Sequence, residues 1–246
     1  MLAAVIVGAV VAGAGWGLVL PGLISRYAVP WPDDAPKPPW RTTCVHCDAD
    51  RAQWWRASGP CPSCGRRPSP GRPITVPLSA AVCGIVAAAL GPVAELPAFL
   101  VLAAVAVPLA IVDIKVMRLP DALIVAGLAG GVVLLTVAAL VNGTFLPLVR
   151  GGIAAVACGV IYFLIALIPR SGLGFGDVKL GALLGLYLGW LGVLYIVVGI
   201  MLAPVLNLPL VLGLLATRRA GRRTSVPYGP ALIAAAFAAV ILTALR

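Results

Sequence analysis

The sequence predicts an all-α, polytopic membrane protein of about eight transmembrane helices, and three observations support this fold class. The chain is 61% hydrophobic and 11% charged, whereas a soluble domain carries about 25% charged residues. Several apolar runs approach the roughly 20 residues that cross a bilayer. Only one long segment, 25–75, is polar, and Pro and Arg are frequent in it. The same composition excludes a soluble protein with a large buried core.

The predicted spans are separated by breaks that carry Pro, Gly or charge. The first span, 2–24, is not preceded by a basic segment and is not followed by a clear cleavage site, so we interpret it as retained rather than as a removed signal peptide. The later spans are predicted at 76–93, 96–112, 122–141, 148–168, 177–194, 195–215 and 227–245. The break at 194/195 has the weakest signal.

The distribution of basic residues predicts the topology. A net charge of +10 is also typical of nucleic-acid-binding proteins, but in a membrane protein it reports basic cytoplasmic loops, so we expect no nucleic acid partner. With segment 25–75 in the cytoplasm, all of the 18 Lys and Arg residues except Arg150 and Arg246 are cytoplasmic. Both termini then lie on the outer side of the membrane.

Three acidic residues belong to the membrane part of the chain. They are Asp113, Asp121 and Asp177, while the other five of the eight lie in the polar segment or in a short turn. An ionisable residue at the edge of a bilayer is costly and is a functional candidate. The predicted topology places Asp113 and Asp177 at the same membrane face.

Two neighbouring aspartates can hydrolyse a peptide bond. Both cannot be charged at low cost, so one keeps a proton while the other activates a water as general base. Gly174 and Gly176 precede Asp177 and permit close backbone approach. The sequence therefore predicts a membrane aspartyl protease with Asp113 and Asp177 as its catalytic pair.

A structural role is the alternative for each charged residue. Asp at a helix start is often a cap, which is our expectation for Asp121 and an alternative for Asp177. Capping does not explain Asp113, because it ends a span. Lys115, Arg118 and Lys179 are potential salt-bridge partners, although such side chains more often reach out to the interface. The glycines at 181, 185 and 189 predict a helix-packing face.

Four cysteines in the polar segment predict a metal site. Cys44 and Cys47 form one Cys-x2-Cys pair, and Cys61 and Cys64 form another after 13 residues. Four thiolates at this spacing suit a structural zinc ion, and two disulfides are the alternative in an oxidising compartment. The chain then divides into a first helix at 1–24, a cytoplasmic four-cysteine zinc loop at 25–75 and a membrane aspartyl peptidase domain at 76–246.

Longer motifs carry a resemblance to a known family. Residues 113–121 read Asp-Ile-Lys-Val-Met-Arg-Leu-Pro-Asp, residues 172–180 read Gly-Leu-Gly-Phe-Gly-Asp-Val-Lys-Leu, and residues 226–230 read Val-Pro-Tyr-Gly-Pro. With these motifs the chain resembles the bacterial prepilin peptidases, the type IV prepilin leader peptidase family of Gly-x-Gly-Asp membrane aspartyl proteases. The resemblance covers about 76–246. It implies that Asp113 and Asp177 are catalytic. The other residues that it implies to support the motifs are Asp121, Gly174, Gly176 and Lys179.

The resemblance also implies a substrate and a second activity. Members of this family cleave type IV prepilins or related pseudopilins after a glycine, at the cytoplasmic membrane face. Many members then methylate the new N-terminus with S-adenosylmethionine. The segment before Cys44 lacks the Asn and the Arg-Leu-Pro run expected for that activity, so methylation stays open. The remaining alternative is a non-enzymatic assembly factor or transporter with a zinc-stapled loop; the chain shows no internal repeat of the kind expected for a transporter.

Overall fold

The computed structural model describes residues 1–30, 38–50, 58–168, 173–216 and 227–245. Residues 31–37, 51–57, 169–172 and 217–226 and Arg246 lie outside the described residues, and they include Gly172 and Val226 of the motifs. Within the described ranges the chain forms eight α-helices and no strand, so the predicted all-α class is confirmed. The helices are α1 Leu2–Tyr27, α2 Arg72–Leu90, α3 Leu96–Val116, α4 Asp121–Asn142, α5 Leu146–Ala166, α6 Phe175–Leu191, α7 Val193–Ala216 and α8 Gly229–Ile241, with a final 3-10 turn at Leu242–Leu245.

The helices match the predicted spans in number and order among the described residues. Helices α1 to α5 are each long and apolar enough to cross a membrane. The apolar stretches Val193–Pro209 and Gly229–Leu245 are shorter, and α6 has 17 residues. The break predicted at 194/195 lies at Gly192, whose φ of 145° separates α6 from α7. Because a glycine tolerates this backbone conformation, α6 ends there without a polar loop.

Helix α6 lies at the centre of the bundle. It packs along α5 and also contacts α4, α7 and α8. The predicted packing face is confirmed: a Cβ on Gly181 would lie 2.3 Å from Cδ2 of Tyr162, and one on Gly185 would lie 2.7 Å from the Ala154 carbonyl oxygen. These glycines bring the α5 and α6 backbones together, which gives dispersion contacts that lipid cannot replace.

A proline in α3 leaves a backbone carbonyl that another helix satisfies. Pro108 lacks the N–H that would bind the Ala104 carbonyl oxygen in a regular helix. The indole Nε1 of Trp16 in α1 donates to this oxygen at 2.8 Å. In the apolar core of a bilayer an unsatisfied carbonyl is costly, so the contact fixes α1 against α3 at this depth.

The same arrangement joins α1 to α2 and gives a testable prediction. Pro21 frees the carbonyl of Gly17, and the buried Thr75 hydroxyl donates to it at 2.7 Å. The change Thr75→Val should lower the free energy of unfolding by about 1 kcal/mol, because that carbonyl loses its partner. The measurement is the midpoint of thermal unfolding in detergent.

The matched control for this prediction is Thr136→Val. The Thr136 hydroxyl is exposed and donates to the Val132 carbonyl within its own helix. Its loss should leave the midpoint nearly unchanged. Equal losses in the two variants would contradict a special role of Thr75.

Candidate active site

Asp113 lies in the last turn of α3. The helix ends at Met117, which adopts the left-handed conformation (φ 48°, ψ 44°) and donates its N–H to the Asp113 carbonyl oxygen at 2.8 Å. Asp113 is only 5% exposed. The C-terminal end of a helix carries a partial negative charge, so α3 itself does not stabilise this carboxylate. Its stabilisation has to come from another element.

That element is the start of α8. The N–H of Gly229, the first residue of α8, donates to Oδ2 of Asp113 at 3.0 Å. The first turn of a helix has free N–H groups and a partial positive charge, which suit a carboxylate. A Cβ on Gly229 would lie 2.7 Å from the same Oδ2, closer than Cβ atoms come to other atoms. Glycine is therefore required for this approach.

Asp177 lies in the first turn of α6 and is 8% exposed. Its Oδ2 accepts the N–H of Gly174 at 3.1 Å, and its own N–H donates to the Gly174 carbonyl oxygen at 3.0 Å. The structural role expected as an alternative for Asp177, at the capped start of a helix, is thus present. It fixes one oxygen of the Asp177 carboxylate. A Cβ on Gly176 would lie 3.0 Å from Cβ of Leu119, so this glycine lets α6 begin against the loop after α3.

The two aspartates come together at one end of the bundle. Their carboxyl groups interact electrostatically although they are far apart in sequence. Each has one oxygen held by a glycine N–H, from Gly229 for Asp113 and from Gly174 for Asp177. Two buried carboxyl groups that interact in this way share a proton at lower cost than they carry two charges. Such a pair can hold one protonated and one charged carboxyl group.

Asp121 and Lys179 lie beside this pair in a different environment. The Lys179 ammonium donates to Oδ1 of Asp121 at 2.6 Å, and both side chains are about half exposed. The expected cap is not formed: Pro120 is at the cap position of α4 and no side chain caps that helix end. Asp121 instead sits in the first turn, where the helix dipole favours it, and links α4 to α6.

Two basic residues of the segment after Asp113 contact the polar segment. Lys115 donates from Nζ to the Ser69 carbonyl oxygen at 2.7 Å. The Arg118 guanidinium lies 4.2 Å from the centre of the Trp40 ring and donates to the Pro38 carbonyl oxygen at 3.1 Å. These contacts replace the interfacial positions expected for both side chains. They place the polar segment at the same end of the bundle as the aspartates.

The four cysteines of the polar segment form one cluster. Their Sγ atoms all lie within 4.8 Å of one another, and the Cys44–Cys64 and Cys47–Cys61 sulfur distances are 3.9 and 3.7 Å. A disulfide bond needs about 2.05 Å, so these cysteines are free thiols. The cluster has the donors and spacing of a tetrahedral site for a metal ion.

Two similar turns build this cluster. The N–H of Cys44 donates to the Ala49 carbonyl oxygen, and the N–H of Cys61 donates to that of Arg66, both at 2.8 Å. Asp48 and Gly65, each four residues after the first cysteine, have φ of 53° and 70°. Backbone N–H groups of Cys64 and Ser63 hold the pKa of the Cys61 thiol below its ordinary value. This favours the thiolate, the form that binds metal ions.

The sequence profile of the type IV leader peptidase family matches residues 99–212, which contain Asp113, Asp121 and Asp177. Over these residues, which are just under half of the chain, the chain is similar to the type IV leader peptidase family. The resemblance inferred from the motifs is thereby confirmed. The matched residues run from α3 into α7 and include both halves of the aspartate pair.

Three bacterial relatives, each named prepilin leader peptidase/N-methyltransferase, are similar to this chain. The protein from Aeromonas hydrophila is 29% identical over 230 residues, which are 85% of this chain and 77% of that protein. Those from Aeromonas salmonicida (strain A449) and Pseudomonas putida are each 30% identical, over 76% and 74% of this chain. The chain spans 64% and 62% of their lengths, just under two thirds. No solved structure matches the chain significantly.

Sequence reasoning did not identify two features around the aspartates. The role of Gly229 as a donor to Asp113 was missed, although its Pro-Tyr-Gly-Pro motif was recognised and the glycine at a helix start was the available signal. Tyr162 of α5 and Tyr228 before α8 also lie near Asp177, and their ring centres are 6.5 Å apart. No local pattern indicates Tyr162, because it lies within an apolar run.

Proposed function

We propose that this chain is a membrane aspartyl endopeptidase that removes the leader peptide of type IV prepilins or related pseudopilins. One observation carries the proposal: Asp113 and Asp177, from separate helices, are both buried at one end of the bundle and interact there. The printed names of the relatives support prepilins as the substrate class. A non-enzymatic assembly factor would not need two buried carboxyl groups that interact, and the sequence shows no internal repeat of the kind expected for a transporter.

The proposed reaction uses the two carboxyl groups and a water molecule. The ionised carboxylate takes a proton from the water, whose oxygen attacks the scissile carbonyl carbon. The protonated carboxyl group donates its proton to the carbonyl oxygen, and a tetrahedral intermediate forms. The proton held by the first group then passes to the leaving amine as the C–N bond breaks. The second carboxylate takes back a proton from a hydroxyl of the intermediate, which becomes the product carboxyl group, and the pair returns to its starting state. The Gly229 and Gly174 N–H groups keep both carboxyl groups in orientation during these transfers.

The proposed location is the cytoplasmic face of the bacterial inner membrane. The polar segment and the aspartates share one end of the bundle, and the charge distribution favours the cytoplasm for that end. Both termini then lie outside. The substrate would be cut where its apolar helix leaves the bilayer on the cytoplasmic side.

We also propose that Cys44, Cys47, Cys61 and Cys64 bind a structural zinc ion. Four thiolates fill a tetrahedral zinc site and leave no position for a substrate. In this division of the chain, the four-cysteine zinc loop is a cytoplasmic unit between the first helix and the peptidase domain. The ion would hold the two cysteine turns together and so maintain the surface that Lys115 and Arg118 contact.

The zinc proposal predicts the metal content of variants. The purified chain should contain about one zinc per molecule, and Cys44→Ser should lower this content severalfold, because one of four ligands is lost. Metal content is measured by inductively coupled plasma mass spectrometry. The control is Cys158→Ser, whose thiol lies in α5 away from the cluster. Equal zinc contents in the wild type and Cys44→Ser would contradict the site.

N-methylation is the second candidate activity, because the relatives' names include it. It would use S-adenosylmethionine, bound in the N-terminal region rather than at the aspartates. The two activities leave different marks on the product: one shortens the substrate, and the other adds the mass of a methyl group to the new N-terminus.

The test is a cleavage assay in membranes. A prepilin from the same genome is produced with the wild-type chain or without it, and the product is analysed by mass spectrometry. We expect a shortened product that begins after the glycine of the leader only when the chain is present. An unprocessed substrate, with the chain present in the membrane in normal amount, would refute the peptidase function. A cleaved product without the added mass of a methyl group would refute the N-methyltransferase activity.

A further inference from the structure

A cavity at the end of α1 is lined by a concentration of positive charge. It opens between the last turns of α1 and the two cysteine turns. Four arginines line it: Arg26, Arg41, Arg66 and Arg67. The hydroxyl side chains of Ser25, Thr42 and Thr43 add neutral donors, and no carboxylate belongs to the lining.

The four guanidinium groups are not neutralised by the part of the protein that the structure describes. None of them forms an ion pair with a described carboxylate, whereas the exposed Lys179 pairs with Asp121. Like charges gathered around one cavity repel each other, and a bound anion removes that cost. Guanidinium groups bind phosphate oxygens through two parallel N–H donors, which makes arginine the side chain best suited to phosphate.

The position of the cavity indicates where its ligand comes from. Gly22 and Ser25, which line it, belong to the last two turns of the membrane helix α1, and Arg26 is in its final turn. The cavity is therefore at the depth of the phospholipid head groups, on the side that carries the polar segment. Basic pockets at the end of membrane helices bind the head groups of anionic lipids.

From this arrangement we propose that the cavity between α1 and the cysteine turns binds a phosphate-bearing anion. The phosphate comes from the head group of an anionic phospholipid or from a soluble phosphate compound, and the experiment distinguishes the two sources. S-adenosylmethionine is a poor ligand for this cavity, because its sulfonium group is a cation that four arginines repel. The site is separate from Asp113 and Asp177 and does not depend on the proposed reaction.

The test measures ligand binding by the shift in thermal unfolding of the purified full chain. The probes are short-chain phosphatidylglycerol, short-chain phosphatidylcholine, inorganic phosphate and S-adenosylmethionine. Phosphatidylglycerol should stabilise the wild type, and phosphatidylcholine should not. In the double variant Arg66→Gln/Arg67→Gln the affinity for phosphatidylglycerol should fall at least about tenfold, because two charge-assisted contacts are lost. A shift by inorganic phosphate alone, lost in the same variant, would identify the soluble source.

The control variant is Arg72→Gln, which removes an exposed arginine at the start of α2 that does not line the cavity. It should bind as the wild type does. Arg41→Gln, on another wall of the cavity, repeats the test independently if the double variant does not fold. Equal affinity of the wild type and these cavity variants would overturn the proposal. Arginine-dependent binding of S-adenosylmethionine would also overturn it, because the cavity would then be a cofactor site.

Discussion

Asp113→Asn and Asp177→Asn should each lower the rate of prepilin cleavage by about 10⁴-fold while the protein still inserts and folds. Asparagine has nearly the same shape and keeps an oxygen that accepts the N–H of Gly229 or Gly174. It can neither take a proton from the attacking water nor donate one to the carbonyl oxygen. The measurement is the cleavage rate in membranes, divided by the amount of inserted protein.

The matched control is Asp121→Asn, which changes a carboxylate of the same motif outside the pair. It breaks a half-exposed ion pair with Lys179, and such pairs contribute about 1 kcal/mol or less. Cleavage should therefore stay close to the wild-type rate. If Asp121→Asn were inactive and Asp113→Asn active, Asp121 would be the first catalytic residue. If both members of the proposed pair cleaved normally as Asn variants, the aspartyl mechanism would be wrong.

Gly229→Ala should have the next largest effect, a fall in kcat of about 100-fold. The added Cβ would lie 2.7 Å from Oδ2 of Asp113, so either the start of α8 or the carboxyl group has to move. The displaced N–H then no longer holds the carboxylate, and a displacement of about 1 Å at a reacting group costs about this factor. KM should change much less, because Gly229 acts through Asp113 and is a positioning residue.

The control for Gly229→Ala is Gly152→Ala in α5. A Cβ on Gly152 meets no atom within 4 Å, so this variant should keep the wild-type rate and unfolding midpoint. The thermal midpoint of Gly229→Ala separates a local displacement from general unfolding. A rate within twofold of the wild type in Gly229→Ala would show that the contact does not position Asp113.

The helices were predictable from the sequence because each apolar run corresponds to one element. Their ends were less accurate, and the errors run in both directions. Helix α3 was predicted to end at 112 but continues to Val116, and α2 was predicted from 76 but begins at Arg72. Charged and proline residues mark where the apolar run ends, whereas backbone hydrogen bonding continues one more turn into the interface. At other ends the helix stops before the apolar run does: α2 ends at Leu90 rather than 93, and α8 ends at Ile241 rather than 245.

The aspartate pair was predictable in part, and its surroundings were not. The charge distribution placed Asp113 and Asp177 at one face, and the structure brings them to one end of the bundle. The donor to Asp113 comes from a residue 116 positions away, and the Arg118 contact with Pro38 spans 80 positions. Contacts between residues so far apart produce no local pattern, such as a period or a fixed spacing, that could be recognised in the sequence. The expected cap at Asp121 is absent because Pro120 occupies the cap position of α4, and the Asp121 side chain pairs instead with Lys179, which is distant in sequence.

The prolines of α1 and α3 have a consequence for how the chain is made. During synthesis α1 enters the bilayer first, with the Gly17 carbonyl still lacking the Thr75 hydroxyl and the Trp16 indole still lacking the Ala104 carbonyl. Both partners belong to helices that are inserted later. The Gly17 carbonyl and the Trp16 indole of α1 therefore both have hydrogen-bond partners only when α3 has entered the bilayer. Until then the insertion machinery, or water at the edge of the bilayer, has to supply those hydrogen bonds.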